Sequence, residues 1–362
     1  MWGLAFSIVV WSGTRRYRTG APYFYRRRAT RRVKRLVRRS YGSVNEAMLS
    51  FLSRSRTVPA DHAAFADLPV RHIVMQDGHT RAAVHLRRQF GAGRLPLICI
   101  PGYHRNMSDF AAFARSFSRH HPGDWPIVLI DLPGRGRADD RPHIKDYGSL
   151  ADARDLADII TALGISKAIL LGQGHGGQVA MAFAAAHPLM VGGVILLDAG
   201  PMTDSRGIVR LRNNIEHVSK LRGNAVAAGF RRMLAGDHPG LPDEALDALA
   251  LRTHSFDKSG RARPLFDMRL IELLKDFSFN DILVAQWPLY DALKPLPLLL
   301  LRTQLTDQLR RETFEEMVRR RPDASAFTIS GQGSPALFDQ SEEIDAVAKF
   351  VFGIGARIGK AG

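Results

Sequence analysis

The heptapeptide Leu171-Gly172-Gln173-Gly174-His175-Gly176-Gly177 lies between two apolar segments of different period. Residues 168–171 ahead of it form a short unbroken apolar run, as a fully buried strand does, and residues 179–186 behind it read as an apolar helix. A sharp strand-to-helix turn brings the two backbones together, which demands small residues on its flanks. Gly172 and Gly176 meet that demand and leave residue 174 at the tip.

The same alternation extends in both directions. Upstream, residues 70–75 and 81–86 flank Asp77-Gly78, a hairpin-turn signal, and residues 97–100 and 127–130 are further buried-strand runs. A helix is expected over 108–117 with Ser108 as its cap. The clearest helix covers 149–163, with Ser149 and Asp152 as a capping box, an apolar face of Leu156, Ile159, Ile160 and Leu163, and Gly164 as its stop. Downstream, 194–197 is a strand closed by Asp198, and the pattern breaks at Gly200. Up to Leu293 the chain is mainly helical and more charged. Strands at 298–301 and 326–329 then resume with a helix near 312–320 between them, and a last helix starts at Ser341. Strands alternating with helices predict an α/β fold, a mostly parallel sheet covered on both faces, with a helical cap inserted after the sixth strand. The expected organisation is an arm over 1–60, a core over 61–199 and 294–362, and the cap over 200–293.

Composition narrows the class. Of 362 residues, 45% are apolar and 24% charged, enough for a sizeable core, and no run approaches the roughly 18 apolar residues of a membrane-spanning helix. A single cysteine, Cys99, excludes a disulfide framework and any multi-cysteine metal site. The net charge of +16 is local: residues 1–60 hold fourteen Lys/Arg against Glu46 alone, whereas the remainder holds 37 bases and 34 acids. Twelve of those bases lie between Arg15 and Arg39 among the aromatics Tyr17, Tyr23, Phe24 and Tyr25. Such a segment repels itself and is expected to be disordered. Four readings of it are open: a solvated tail upstream of a second initiator at Met48, an anchor to anionic membrane through Trp2, Leu4, Phe6 and Trp11, an organelle presequence, or a nucleic-acid-binding arm. The body is expected to be cytoplasmic, with peripheral membrane attachment through residues 1–40 under the second reading.

In its strand–turn–helix setting, 172–176 is laid out like the nucleophile elbow G-x-S-x-G, with glycine in place of serine. Here the chain resembles the α/β-hydrolase fold family over about 68–353. Pro101-Gly102-Tyr103-His104-Arg105-Asn106 resembles the P-G-L-T-R-N oxyanion loop of a lactonase- and esterase-like branch, and Asp131-Leu132-Pro133-Gly134-Arg135-Gly136-Arg137 its D-x-R-G-R-G-x loop. Asp198-Ala199-Gly200-Pro201 is similar to its D-I-G-P, and Trp287 to Leu293 to the cap exit. The stretch from Leu301 to Leu309 is similar to the family's acid loop, and Ser330-Gly331-Gln332-Gly333-Ser334 stands where the family reads G-x-G-H.

The resemblance implies a nucleophile at 174, an acid at 307 and a histidine at 334. The chain holds Gly174, Asp307 and Ser334: one position of three is retained. Glycine has no nucleophile, and an alcohol is a poor general base near neutral pH. The backbone N–H groups of Tyr103 and His175 are the expected oxyanion donors, and His175 is a candidate base beside the lost nucleophile, unless its ring merely packs under the cap. Tyr103 and His104 are expected to line the mouth, and Asp131 and Asp198 to be structural. Asp307, lacking its imidazole, is free to pair with Arg302, Arg310 or a cap residue. Arg206, Arg210, Arg212, Lys220 and Arg222 form either a solvated helix face or a rim for an anionic ligand. His217, His238 and His254 show no metal-ligand spacing, and no metal or cofactor is expected. Three functions remain open: a non-catalytic homologue of ester or lactone hydrolases binding a small apolar or carbonyl ligand or acting as a scaffold; a hydrolase or isomerase working without a covalent step through His175; or a passenger domain of the basic arm.

Overall fold

Leu97, Cys99, Ile127, Leu129, Ile169 and Leu171 face one side of a central sheet, and Ile98, Ile100, Val128, Ile130 and Leu170 face the other. Both sides are buried, which is why these strands read as unbroken apolar runs. The computed structural model describes residues 56–88, 90, 94–120 and 125–358. The arginine-rich segment 15–39 and Met48 lie outside the described residues.

The sheet has eight strands: β1 (Arg71–Val74), β2 (Arg81–Arg87), β3 (Leu97–Ile100), β4 (Ile127–Asp131), β5 (Ala168–Gln173) and β6 (Val191–Leu197), then β9 (Leu298–Thr303) and β10 (Ser325–Ile329). Their spatial order is β1-β2-β4-β3-β5-β6-β9-β10. Only β2 runs against its neighbours β1 and β4; every other pairing is parallel. Helices α2 (Ser149–Ala162) and α3 (His175–Ala186) cover one face, and α1 (Ala111–His120) and the C-terminal helix (Ser341–Ile358) cover the other.

Two expected caps are replaced. The chain enters α1 through a 3-10 turn at Met107–Phe110, and Asn106, not Ser108, caps it; the Asn106 oxygen accepts from Ser108 N at 3.0 Å and from Ser108 Oγ at 2.7 Å. At α2 the cap position is Gly148, with no side-chain cap. Asp152 is withdrawn from any capping box because three buried partners claim its carboxylate. Between β6 and β9 the insertion carries α4 (Ser205–Lys220), α5 (Asn224–Ala235), α6 (Asp243–Leu251), α7 (Arg269–Glu272) and α8 (Trp287–Asp291). It also contains a short hairpin, β7 (His254–Phe256) with β8 (Ala262–Pro264), which the helical reading had not anticipated. The insertion is tied to the loops beyond the C-terminal ends of β3 and β4: Gly136 N donates to Leu265 O at 2.8 Å, and Asp267 N to Gly134 O at 2.8 Å.

The turn between β5 and α3 depends on contact distances that exclude side chains. A Cβ on Gly172 would lie 2.5 Å from the carbonyl carbon of Gly176, and one on Gly176 would lie 2.6 Å from Pro101 O. Gly176→Ala is therefore expected to cost about 1–3 kcal/mol, as overpacking against rigid backbone does. A urea denaturation midpoint equal to wild type would contradict this packing.

Candidate functional site

Gly174 has φ 51° and ψ −114°, the conformation of a tight turn that holds its residue up from the sheet. It carries no side chain, and the carboxamide oxygen of Gln308 stands against the place a Cβ would occupy. Gln308 Nε2 donates to Ser334 Oγ at 3.1 Å, and Gln173 Nε2 donates to the same oxygen at 3.2 Å. Two amides thus join the elbow to Ser334.

The two carboxylates near this junction differ in their surroundings. Asp307 is held by Arg210 Nε of α4 at 2.5 Å, and Arg210 Nη2 also donates to Asp237 at 2.8 Å. Among the described residues no hydrogen bond joins Asp307 to Ser334. Asp198, at the end of β6, accepts from Thr303 N and from Thr303 Oγ1, both at 2.7 Å. Burial pushes its carboxyl up to about 7, against the opposing pull of Thr303, Arg302 and the Ser334 hydroxyl. A carboxyl raised in the folded chain favours folding while protonated, so its contribution falls as pH rises from the unfolded value near 4 through about 7. The stability difference between Asp198→Asn and wild type should therefore shift in the variant's favour between pH 5 and 8, read by thermal melts. A pH-independent difference would contradict an elevated Asp198.

His175 is directed away from Gly174. Its Nε2 lies 2.7 Å from Asp152 Oδ2, and its ring meets Tyr103 edge-on with centroids 5.3 Å apart. Burial disfavours the Asp152 charge, but Arg135, His175 and Arg141 outweigh it and hold the carboxyl below its ordinary range. The ionised carboxylate requires a proton on His175 Nε2, which fixes the tautomer. Burial lowers the His175 pKa despite Asp152, so the ring is neutral near pH 7. The Tyr103 hydroxyl donates to Leu270 O of the insertion at 3.0 Å, and His104 packs edge-on against Phe266. Burial together with Arg105 and His254 keeps His104 well below the usual imidazole range. The Tyr103 and His104 side chains therefore fasten the insertion to the core, and His175 ties α3 to α2. The backbone N–H groups of Tyr103 and His175 make no hydrogen bond among the described residues, so donors for a ligand oxygen remain at the turn.

A sequence model described as the α/β hydrolase fold matches residues 96–249. Over 79% of this chain and 98% of the other, the structure superposes on an α/β hydrolase from Novosphingobium aromaticivorans with TM-score 0.68 and 26% identity. The chain has the α/β-hydrolase fold. An E-2-(acetamidomethylene)succinate hydrolase, 20% identical with TM-score 0.62, shares the fold over 79% of this chain and 99% of its own. A 2-hydroxy-6-oxononadienedioate/2-hydroxy-6-oxononatrienedioate hydrolase of Paraburkholderia phymatum is 29% identical over 166 residues, 45% of this chain and 56% of that enzyme. The chain thus matches a little over half the length of that relative.

Within this α/β-hydrolase frame, other sequence candidates settle into structural work. Asp131 accepts from Met107 N and Arg137 N at 2.7 and 2.8 Å and orders two loops. Arg212 spans the carbonyls of Leu274, Lys275 and Phe277. His238 and His254 are buried, while His217 is exposed, and no group of metal-ligating side chains is found among the described residues. No described helix is long and apolar enough to cross a membrane. Residue-by-residue reading missed Gln173, Gln308, Asp152 and Arg135. Gln173 and Gln308 did carry a signal: each adjoins a position of the expected triad, and an amide there can only donate or accept, never shuttle a proton near pH 7.

Proposed function

We propose that this chain is a non-catalytic α/β-hydrolase-fold protein, descended from ester- or lactone-type hydrolases, that binds a small carbonyl compound or serves as a scaffold. The observation that carries this reading is the Gln308 carboxamide set against the nucleophile position and bonded to Ser334. A covalent acyl step needs an oxygen or sulfur at residue 174 and an imidazole to take its proton. Neither is available, and loss of such groups costs on the order of a millionfold in rate. The uncommitted N–H groups of Tyr103 and His175, with the two amides, suit a ligand carbonyl that is bound and left intact.

A second reading draws on the Asp152–His175 pair, since a carboxylate-oriented imidazole is a competent base for water attack. It requires the His175 ring to leave its contact with Tyr103 or to act through a bridging water. γ-Nonalactone separates the two. The first reading predicts a melting temperature that rises with lactone concentration while the lactone stays unopened by proton NMR. Ring opening above the buffer rate that disappears in His175→Ala would establish the second.

A further inference from the structure

We propose that the cleft between α4 and the segment following β9 binds an organic anion, a phosphate or carboxylate carried on a short apolar body. The cleft is open to solvent and has a volume of about 770 Å³. Asp307 lines it, whereas Gly174, His175, Tyr103 and Ser334 do not, so the site is separate from the elbow.

Its charge is unevenly compensated. Asp204 serves two guanidinium groups at once, Arg206 at 2.7 Å and Arg310 at 2.8 Å. Arg302 donates only to backbone carbonyls, those of Leu309 at 3.1 Å and Gln304 at 3.3 Å, and has no ion-pair partner among the described residues. Arg311 pairs with Glu315 four residues along its own helix (Arg311–Arg320), an exposed pair of the kind that holds a side chain weakly. Arg210 in turn serves two carboxylates, Asp307 and Asp237, and Glu312 lies on the same rim. Five arginines against four carboxylates leave the lining with one net positive charge, and Arg302 is the guanidinium without a carboxylate. Planar guanidinium forks match the oxygens of phosphate and carboxylate, and Arg302 holds such a fork with no carboxylate on it.

The same cleft holds an apolar element. Phe279 and Leu305, 53% and 40% exposed, open onto it next to the arginines. Large apolar groups left open in the same cleft as an unneutralised guanidinium fit a ligand with both characters: the anion sits on Arg302 and the body covers Phe279 and Leu305.

Calorimetric titration of the full chain with phenyl phosphate, benzoate, inorganic phosphate and phenol tests this. Phenyl phosphate or benzoate should bind with one site per chain, and the tighter of the two identifies the head group. Inorganic phosphate should bind at least tenfold more weakly than phenyl phosphate, and phenol not measurably. Arg302→Gln should weaken the aryl anion by about tenfold, as loss of a charge-assisted hydrogen bond does. Arg311→Gln, at an exposed position that leaves the fold untouched, should weaken it severalfold. Phe279→Ala should close the gap between phenyl phosphate and inorganic phosphate. Absence of heat with both aryl anions, binding of phenol at equal affinity, or binding unmoved by both arginine variants would each overturn the site. Inorganic phosphate binding as tightly as phenyl phosphate would overturn its apolar half.

Discussion

Gly174→Ser/Gln308→Ala/Ser334→His is expected to react with a fluorophosphonate, where wild type and the Gly174→Ser/Ser334→His double variant do not. The order of these changes follows from the space at the elbow. A serine Cβ at residue 174 meets the end of the Gln308 side chain, which must swing aside and give up its bond to residue 334. Restoring the two triad positions alone therefore leaves the amide competing for the nucleophile and the new imidazole. Removing the amide clears that space and frees the side chain at 334 from one of its two donors. Labelling should then rise by roughly 10²-fold or more over wild type, a fraction of what a complete triad supplies. The acid partner is predicted to be Asp198, because the hydroxyl at 334 is among the groups that favour its charged carboxylate, while Asp307 is engaged by Arg210. Adding Asp198→Asn to the triple variant should abolish the gain, and adding Asp307→Asn should leave it within a few-fold. Loss of labelling with Asp307→Asn alone would reverse that assignment.

The second large effect is on stability. Asp152 is fully buried and accepts from Arg135 at 3.2 Å, from Arg141 at 2.6 Å and from His175 at 2.7 Å. Arg135 is itself 1% exposed and donates to Tyr103 O at 2.7 Å and Pro133 O at 2.9 Å. Asp152→Ala leaves a buried guanidinium without its counter-charge, a change that typically costs about 3–5 kcal/mol. The melting temperature should fall on the order of 10 °C, given about 2–4 °C per kcal/mol for a domain of this size. Because the folded carboxyl is held below its ordinary range, its stabilising contribution is complete above about pH 4 and is lost as pH falls further. Wild type and variant should therefore converge in stability on acidification below that point. A variant as stable as wild type at pH 7 would show that Arg135 finds another partner.

What the sequence discloses tracks the range of the forces involved. Residues 97–100, 127–130 and 168–171 announce themselves because a doubly covered strand must be apolar at every position, and the glycines around residue 174 because backbone contact leaves no alternative. Ser108 and Asp152 do not act as the caps their local spacing predicts, for the opposite reason. Local spacing favours a cap, but a longer entry turn at Asn106 and the arginines at 135 and 141 decide the outcome. The glycine and serine at the expected nucleophile and histidine positions are legible as Gly174 and Ser334, whereas the amide set against that turn comes from Gln308, far along the chain, and only the fold brings it there. The same holds for His175, whose tether to Asp152 depends on the packing of α3 against α2.

The most direct test of the central claim, that this elbow does no chemistry, is p-nitrophenyl acetate turnover by the wild-type chain beside His175→Ala across pH 5 to 9. The predicted result is a rate indistinguishable from buffer for both proteins at every pH. A wild-type rate above buffer that rises with deprotonation of an imidazole and vanishes in His175→Ala would contradict it.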